Sequence, residues 1–463
     1  MASSADLVVL GAGPAGLAAA WRAAKAGRSV VVLDRAPVVG GMAGSFAVAG
    51  AQVDHGSHRL HPNTPPAIMR DISDLLGDDL QRRPRNGRLR VAGRWVGFPL
   101  RPAELARRLP LGLTARVGLD ALAAPLRRQR HDSYAGVLRA SLGPGLYEAL
   151  YAPYAKKLWG LDGARLDAEQ ARRRVSADTP WKIAARMLRR RGTGQGRVFY
   201  YPRRGFGQIV EALADAAVAA GAKLCLGAEA GRIVPGDDAV TVSVRDGDEF
   251  TAGHLFTTVP LPALARLCRP GPPPGVLEAA GRLRFRAMVL VYLAHAGRPW
   301  TAYDAHYLPD PDTPVTRISE PANYRDSADD PADRTVLCAE IPCDRDDAVW
   351  QASDEALADL VADALARHGL PPVRLSEVEV RRIPFVYPVY ETGYAEHLRG
   401  LDEWAGTLPR TTTFGRLGLF VHDNTHHAIA MAYDAVDALG DGSWRPEKWA
   451  RARQRFTEHV VED

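Results

Sequence analysis

Cysteine is scarce: four thiols, Cys225, Cys268, Cys338 and Cys343, occur in 463 residues. That is too few for a disulfide-stapled scaffold. Cys338 and Cys343 have no second pair or histidine cluster beside them, so a zinc site is not expected. The four read as reduced core thiols of a cytoplasmic protein. Long apolar runs are missing too. Residues 287–294 form a run of eight, far short of the ~18–20 residues that cross a bilayer. The opening MASSADLVVLGAG has neither a basic leader nor a cleavage-type apolar stretch, so no signal peptide is expected. Glycine and proline together make up about 17%, below the level of a disordered chain. Lysine is rare as well, because arginine supplies nearly all of the 59 basic residues.

The charge is unevenly placed. Residues 82–204 hold 28 basic and 8 acidic side chains, a net +20, whereas the rest of the chain carries −15. Such asymmetry points to a surface that meets an anion, or to a solvated helical face. The basic stretch lacks interleaved aromatic platforms and any nucleic-acid module, so nucleic-acid binding is excluded. It is suited to touching anionic lipid if the substrate is lipid-linked, which gives an expected peripheral membrane contact.

Hydrophobic periodicity opens the chain as strand, turn, helix, strand. Residues 7–10 are a short apolar run, residues 15–26 an alanine-rich helix closed by Gly27, and residues 30–33 a buried strand. Residues 85–191 read as mainly helical. Further on, a helix is expected at 208–220. Strands are expected at 223–226, 239–244, 255–259, 286–293 and 335–341. Residues 353–367 form a helix capped by Ser353, and 426–439 the last long helix.

The chemistry begins at the first turn. Gly11-Ala12-Gly13-Pro14-Ala15-Gly16 is G-x-G-x-x-G between a strand and a helix. Gly11 makes the turn, Gly13 lets backbone N–H groups approach a pyrophosphate, and Gly16 lets helix and strand pack closely. Asp34 ends the next strand, followed by Arg35, and its carboxylate is placed for a ribose diol. Gly40-Gly41-Met42-Ala43-Gly44-Ser45 follows at once, letting the chain pass close to a bound diphosphate.

This order of glycine turn, acid and second glycine turn resembles the glutathione-reductase-type FAD proteins. More narrowly, it resembles the group of amine oxidases, protoporphyrinogen oxidases and UDP-galactopyranose mutases. The segment Asp54-His55-Gly56-Ser57-His58-Arg59-Leu60-His61 is similar to the mutases' G-x-H-x-F-H element, with Leu60 in place of the aromatic. The resemblance implies that Gly56 and His58 run beside the flavin ring. His58 and His61 are candidates for proton transfer, since an unperturbed imidazole titrates near neutrality.

YAKKLWG, with Tyr154 and Lys157, and YPRRGFG, with Arg203 and Arg204, resemble elements of the same sugar-pathway flavoproteins. The second either grips a phosphate or turns the chain. Ala230 matches the position that meets adenine, and Thr258-Val259-Pro260 the strand returning to the flavin. Gly415-Arg416 followed by Asp423, Asn424 and His426 resembles the mutase tail, whose last helix points at the flavin. By that resemblance Arg416 contacts a substrate diphosphate or pairs with a core carboxylate. Tyr387 and Tyr390 are cleft residues or strand packing. The mutase substrate-binding tyrosine and arginine elements have no clear match in the middle region.

The expected fold is α/β: a Rossmann-type, glutathione-reductase-like FAD-binding domain from 1–80, 200–268 and 384–463. A mainly helical substrate or membrane-side segment spans 81–199, and a mixed-sheet substrate domain spans 269–383. The expected activity is an FAD-dependent oxidoreductase passing a hydride from a small anionic sugar-, aminosugar- or nucleotide-linked intermediate to flavin N5. The alternatives are a non-redox, mutase-like isomerase using reduced FAD and a flavin-binding protein without turnover.

Overall fold

A computed structural model describes residues 3–100, 102–127, 132–174, 198–245, 247–440 and 443–461. The chain begins with β1 (Ser3–Leu10), α1 (Pro14–Lys25) and β2 (Val30–Asp34), followed by a hairpin of β3 (Ser45–Val48) and β4 (Ala51–Asp54). A second hairpin, β5 (Gly87–Val91) and β6 (Arg94–Phe98), leads into helices α2 (Pro102–Arg108), α3 (Leu111–Leu122), α4 (Tyr134–Leu142) and α5 (Ala152–Trp159). Next come α6 (Gln208–Ala219), β7 (Lys223–Leu226), β8 (Ala230–Val234), β9 (Val240–Val244) and β10 (Glu249–Thr257). The second half contains β11 (Arg284–Ala296), β12 (Ala305–Tyr307), β13 (Arg317–Ser319), β14 (Arg334–Cys343), α7 (Asp354–Arg367) and β15 (Leu375–Val389). It closes with β16 (Thr411–Thr413), α8 (Thr425–Leu439) and α9 (Pro446–Phe456).

Two large sheets organise these elements. In the first the order is β8-β9-β10-β1-β2-β7, with β16 added beside β10. The core strands β10, β1, β2 and β7 run parallel, as does β16 against β10, whereas β8 and β9 are antiparallel. Parallel strands need cover on both faces. The alanine-rich face of α1 supplies it on one side together with α6 and α8, in a cluster that includes Leu7, Val9, Ala19, Leu213 and Ala432. Val8, Leu10, Val31 and Leu33 point to the opposite core.

The second sheet has the order β15-β11-β14-β13-β12-β5-β6, antiparallel except for β12 beside β5. β11 shows why it is a central strand. Ala287, Val289, Val291 and Leu293 face α7, whereas Met288, Leu290, Tyr292 and Ala294 face the β3–β4 hairpin. The period of two sends alternate residues to two different cores. α7 is capped as expected, with Ser353 Oγ accepting from Ala356 N–H at 3.3 Å.

Three expectations are corrected. The stretch expected to be mainly helical contains the β5–β6 hairpin, which extends the second sheet; its residues 175–197 lie outside the described residues. Residues 384–389, expected to open the last FAD-binding segment, belong to β15, which pairs with β11 in the second sheet. The helix at 426–439 is not the last, because α9 follows and packs Phe456 and Trp449 onto the first core.

Candidate functional site

The site has two connected parts, a glycine cradle at the end of the parallel sheet and a cleft between the two sheets. The cradle is built by close backbone approach. Gly11 sits at φ +109°, and a Cβ there would lie 2.1 Å from Thr258 Oγ1. A Cβ on Gly16 would lie 1.8 Å from the Gly11 carbonyl oxygen, so any larger residue forces α1 off β1. Gly40 N–H donates to Ala12 O at 2.8 Å, joining the second glycine turn to the first.

Gly13 differs from its neighbours: a Cβ there would meet only Gly40 O, at 3.9 Å. It therefore faces open space at the N-terminus of α1. That helix start has no side-chain cap and no acid in its first turn. Uncapped N–H donors at the positive end of a helix suit a diphosphate. The second strand ends on Asp34, whose carboxylate accepts from Ala12 N–H at 2.6 Å and Ala36 N–H at 2.8 Å. Arg35 is exposed beside it. Asp34 O also accepts from Ala228 N–H at 2.8 Å, which brings the start of β8, and with it Ala230, alongside. Pro14 is the first residue of α1, and Ala15 is buried against Gly415. These features fit the two phosphates and a ribose of a dinucleotide such as FAD.

Met42, Gly56, His58, His61, Tyr154, Tyr387, Arg416 and Asn424, far apart in the sequence, line one cleft. Arg59, Arg85, Arg174 and Arg317 join them, and Glu340 is the single carboxylate among the described lining residues. Glu340 is already committed, since Arg317 Nη2 holds both of its oxygens at 2.7 and 2.8 Å. It also accepts from Ser57 N–H at 2.8 Å, which fixes the loop carrying His58. Arg174 lies over the rings of Trp159 and Tyr387, 5.4 and 5.2 Å from their centroids. Arg59 lies over Tyr324 at 4.6 Å and pairs with Asp304 at 3.2 Å. The cleft is cationic with aromatic walls.

Beneath it Asp54 is a buried hub. Ser45 Oγ–H and Tyr201 O–H each donate to it at 2.6 Å, and Phe206 N–H at 2.9 Å. Burial raises its pKa, against the pull of those three bonds.

His58 stacks on Phe206, ring centroids 5.2 Å apart. Burial, then the charges of Arg416 and Arg317, push its pKa down to about 3. The expected titration near neutrality is therefore corrected: His58 is a neutral ring at pH 7. His61 Nδ1 accepts from Asn63 N–H at 3.1 Å, which leaves the ring proton on Nε2.

Several expected residues stand outside the cleft lining. Lys157 Nζ donates to the carbonyls of Leu308, Asp310 and Val315 at 2.5, 2.8 and 2.8 Å. All three donors of its ammonium are used, so it ties α5 to the second sheet rather than reaching substrate. Arg203 donates to the Asp79 carboxylate and to Asp326 O. Arg204 uses its backbone N–H on Gln208. Between the two glycines of that motif, the free backbone donors are taken: Phe206 N–H by Asp54 and Gly207 N–H by Ser45, at 2.9 and 2.7 Å. The YPRRGFG element thus turns the chain. Tyr390 is buried, stacks on Tyr394 with centroids 4.2 Å apart, and donates to Phe420 O at 3.1 Å. It is packing.

Arg416 reaches the cleft from a short turn and also donates to Asp423 O. Asp423 is buried behind the cleft and accepts from His459 Nδ1 at 3.0 Å. Asn424 caps α8, and its N–H donates to His427 Nδ1 at 3.2 Å. His426 is buried in the first turn of that helix. The residues that sequence reasoning missed are Arg85, Arg174, Arg317 and Glu340. None sits in a recognisable motif, and only the regional excess of arginine hinted at the first two.

A model of the flavin-containing amine oxidoreductase family matches residues 14–421. Among curated proteins, the phytoene dehydrogenase of Streptomyces griseus is 30% identical over 287 residues, 56% of this chain and 55% of that protein. The putrescine oxidase of Kocuria rosea is 40% identical over 82 residues, 18% of this chain and 17% of that one. The chain thus spans about half the length of the first relative and under a fifth of the second.

Among solved structures, a reduced UDP-galactopyranose mutase superposes with TM-score 0.81 at 20% identity, covering 99% of this chain and 100% of that one. A putative protoporphyrinogen oxidase from Exiguobacterium sp. 255-15 gives 0.73 at 19% identity, covering 94% and 98%. Putrescine oxidase bound to putrescine gives 0.64 at 17%, covering 94% and 99%. At these identities the structural likeness describes the fold. The family match, which spans most of the chain, goes further: this protein belongs to the flavin-containing amine oxidoreductases and is an FAD-dependent enzyme of that family.

Proposed function

We propose that the chain is an oxidoreductase for a small anionic substrate, a sugar-, aminosugar- or nucleotide-linked intermediate. The carrying observation is the set of five arginines that line the cleft, Arg59, Arg85, Arg174, Arg317 and Arg416, of which Arg59 is paired with Asp304 and Arg317 with Glu340. An amine substrate of the putrescine type would enter as a cation and meet that set unfavourably. In this reading the Rossmann-type half, with Gly11–Gly16, Asp34, Gly40–Ala43 and Ala230, holds FAD. Met42, Gly56 and His58, which line the cleft, would flank its ring.

When bound, FAD supplies the acceptor for a hydride leaving a C–H bond next to a hydroxyl or amine. The protein's own contribution is charge and orientation. Arg416 and Arg174 grip the anionic group through charge-assisted hydrogen bonds. Tyr154 and Tyr387 flank the reacting carbon. His61 offers its Nε2–H as a donor. His58, held neutral, packs against the site without adding a charge. The N-terminus of α8, with Asn424 and Thr425 lining the cleft, directs its positive end at charge developing there.

The same arginines suit the diphosphate of a sugar nucleotide, and that supports a second reading as a non-redox, mutase-like isomerase. Electron accounting separates the two. Purified holoenzyme is mixed anaerobically with sugar nucleotides, aminosugars and polyprenyl-phosphate sugars while flavin absorbance is followed. Bleaching without added reductant supports oxidation. Product formed only after dithionite, with no net bleaching, supports the isomerase. Bleaching by a cationic polyamine but by none of the anions overturns both.

A further inference from the structure

Helix α3, sequence LGLTARVGLDAL, has no buried residue, yet four large apolar side chains stand open on or just after it. Leu111, Leu119, Leu122 and Leu126 are 86, 67, 73 and 90% exposed. They are also ordered in space. At 100° per residue Leu111 and Leu122 return to within about 20° of one direction, with Ala115 and Leu119 about 40° and 80° from Leu111. The opposite side is the one that packs. Leu113 joins the cluster containing Leu89, Val96 and Tyr307, and Asp120 Oδ2 accepts from Gly145 N–H at 2.7 Å. Among the described residues one face is therefore committed to the protein and the other is an uncovered apolar stripe, which soluble proteins seldom leave open.

The surroundings say what covers it. Arg107 and Arg108, both exposed, precede the helix, Arg108 beside Glu104 at 3.4 Å, and Arg116, its side chain 52% exposed and paired with Glu148 at 2.7 Å, lies on its flank. They belong to the stretch with net charge +20. Two copies meeting stripe to stripe would set these arginines against themselves, because an isologous contact repeats the same charges. An anionic bilayer surface instead takes the leucines into its acyl boundary and the arginines among its headgroups. The stripe also sits over the wall of the cleft. The cluster beneath α3 includes Tyr307 and Phe98, where Tyr307 lines the cleft and Phe98 carries the cleft residue Arg85 over its ring at 5.3 Å.

We infer that α3 is a membrane-docking helix, seating the enzyme on anionic lipid so that an amphiphilic substrate, apolar tail with a phosphate head, passes from the bilayer to the cleft arginines. The substrate half of this statement rests on the function proposed above; the docking half does not.

The test sediments holoenzyme with vesicles of phosphatidylcholine alone or mixed with equal phosphatidylglycerol. Wild type should pellet with the anionic vesicles and be released by raised salt. Leu119→Glu with Leu122→Glu should weaken that partitioning by about tenfold for each leucine replaced, with unchanged flavin absorbance and thermal midpoint. Two results overturn the inference. One is wild type remaining in the supernatant with both vesicle types. The other is a lipid-free dimer that the double variant converts to monomer, which would show a second copy covering the stripe. Pelleting is read without any turnover, so docking can stand even if no candidate substrate bleaches the flavin.

Discussion

Arg317 and Glu340 are direct partners in register on neighbouring strands β13 and β14, joined through Nη2 at 2.7 and 2.8 Å and through Nε at 3.0 Å. Their side chains are 14 and 5% exposed. The same carboxylate accepts Ser57 N–H, so one ion pair connects the second sheet to the loop carrying His58. Removing one member of a buried pair strands the other. Glu340→Ala should destabilise the protein by about 3–5 kcal/mol, read as a lowered denaturation midpoint in urea. Because Ser57 loses its acceptor, the flavin absorbance band should also shift or weaken.

The cradle predicts a colour test. A side chain at Gly16 meets the Gly11 carbonyl, whereas a Cβ on Gly112 meets nothing within 4 Å. Gly16→Val should purify without FAD or fail to accumulate, and Gly112→Ala should stay yellow with an unchanged flavin-to-protein ratio. A fully loaded Gly16→Val protein would remove the basis for placing the diphosphate at this turn.

Arg174 and Arg416 provide a binding test. If each makes a charged hydrogen bond to the substrate, worth about 1.5–3 kcal/mol, Arg174→Ala and Arg416→Ala should each raise the half-saturating concentration by roughly 10- to 100-fold. A lysine at either position should restore part of that loss for a phosphate group. The readout is a titration of flavin bleaching against substrate, and the losses should shrink as salt rises.

Histidine burial sets the response to acid. His306 Nδ1 accepts from Arg88 Nε at 2.7 Å, and its Nε2–H lies 3.0 Å from Thr301 Oγ1. A guanidinium cannot accept a proton, so the ring is neutral in the fold. Burial, then Arg88, pushes it down to about 3, and burial, then Arg410, does the same to His254. The unfolded chain takes up these protons first, near 6.5. Stability is therefore fully present above 6.5 and is lost as pH falls from there toward about 3, by up to ~1.4 kcal/mol per pH unit for each ring. Asp54 and Asp423, raised by burial, act in the opposite sense at the acidic end. Thermal midpoints measured from pH 7.5 down to 4 should fall. His306→Asn, whose amide oxygen still accepts from Arg88, should flatten the slope.

The cradle was legible because its steric demands leave few residue choices. Gly11, Gly16 and Asp34 sit at positions defined by backbone contact, and those contacts are local or lie one strand away. The unbroken apolar run of residues 287–294 likewise announced a strand, since a strand whose two faces are buried against different cores shows no alternation. The cleft was legible only in part. His58 stands in a motif, but its lowered pKa comes first from burial and then from Arg416 and Arg317, both distant in sequence. Lys157 sits in a motif that resembles a binding element, but three carbonyls from the 308–315 loop surround its ammonium, and nothing in its local sequence announces them. The β5–β6 hairpin carries its own signal, since Arg88 and Arg90 alternate with buried Leu89 and Val91 as in a strand with one face covered, but each of its strands is only five residues long and they sit in a stretch otherwise patterned as helix.

β16 has an implication for biosynthesis. It lies parallel to β10 in the same sheet as β1, and α8 lays Ile429, Ala432 and Ala435 into the cluster that holds the alanines of α1. The first βαβ turn leaves the ribosome some four hundred residues before β16 and α8. The α6 part of the cover, at 208–219, follows within the first half of the chain, whereas the α8 part comes about two hundred residues later, so this core stays half-built until residues 425–439 have been made.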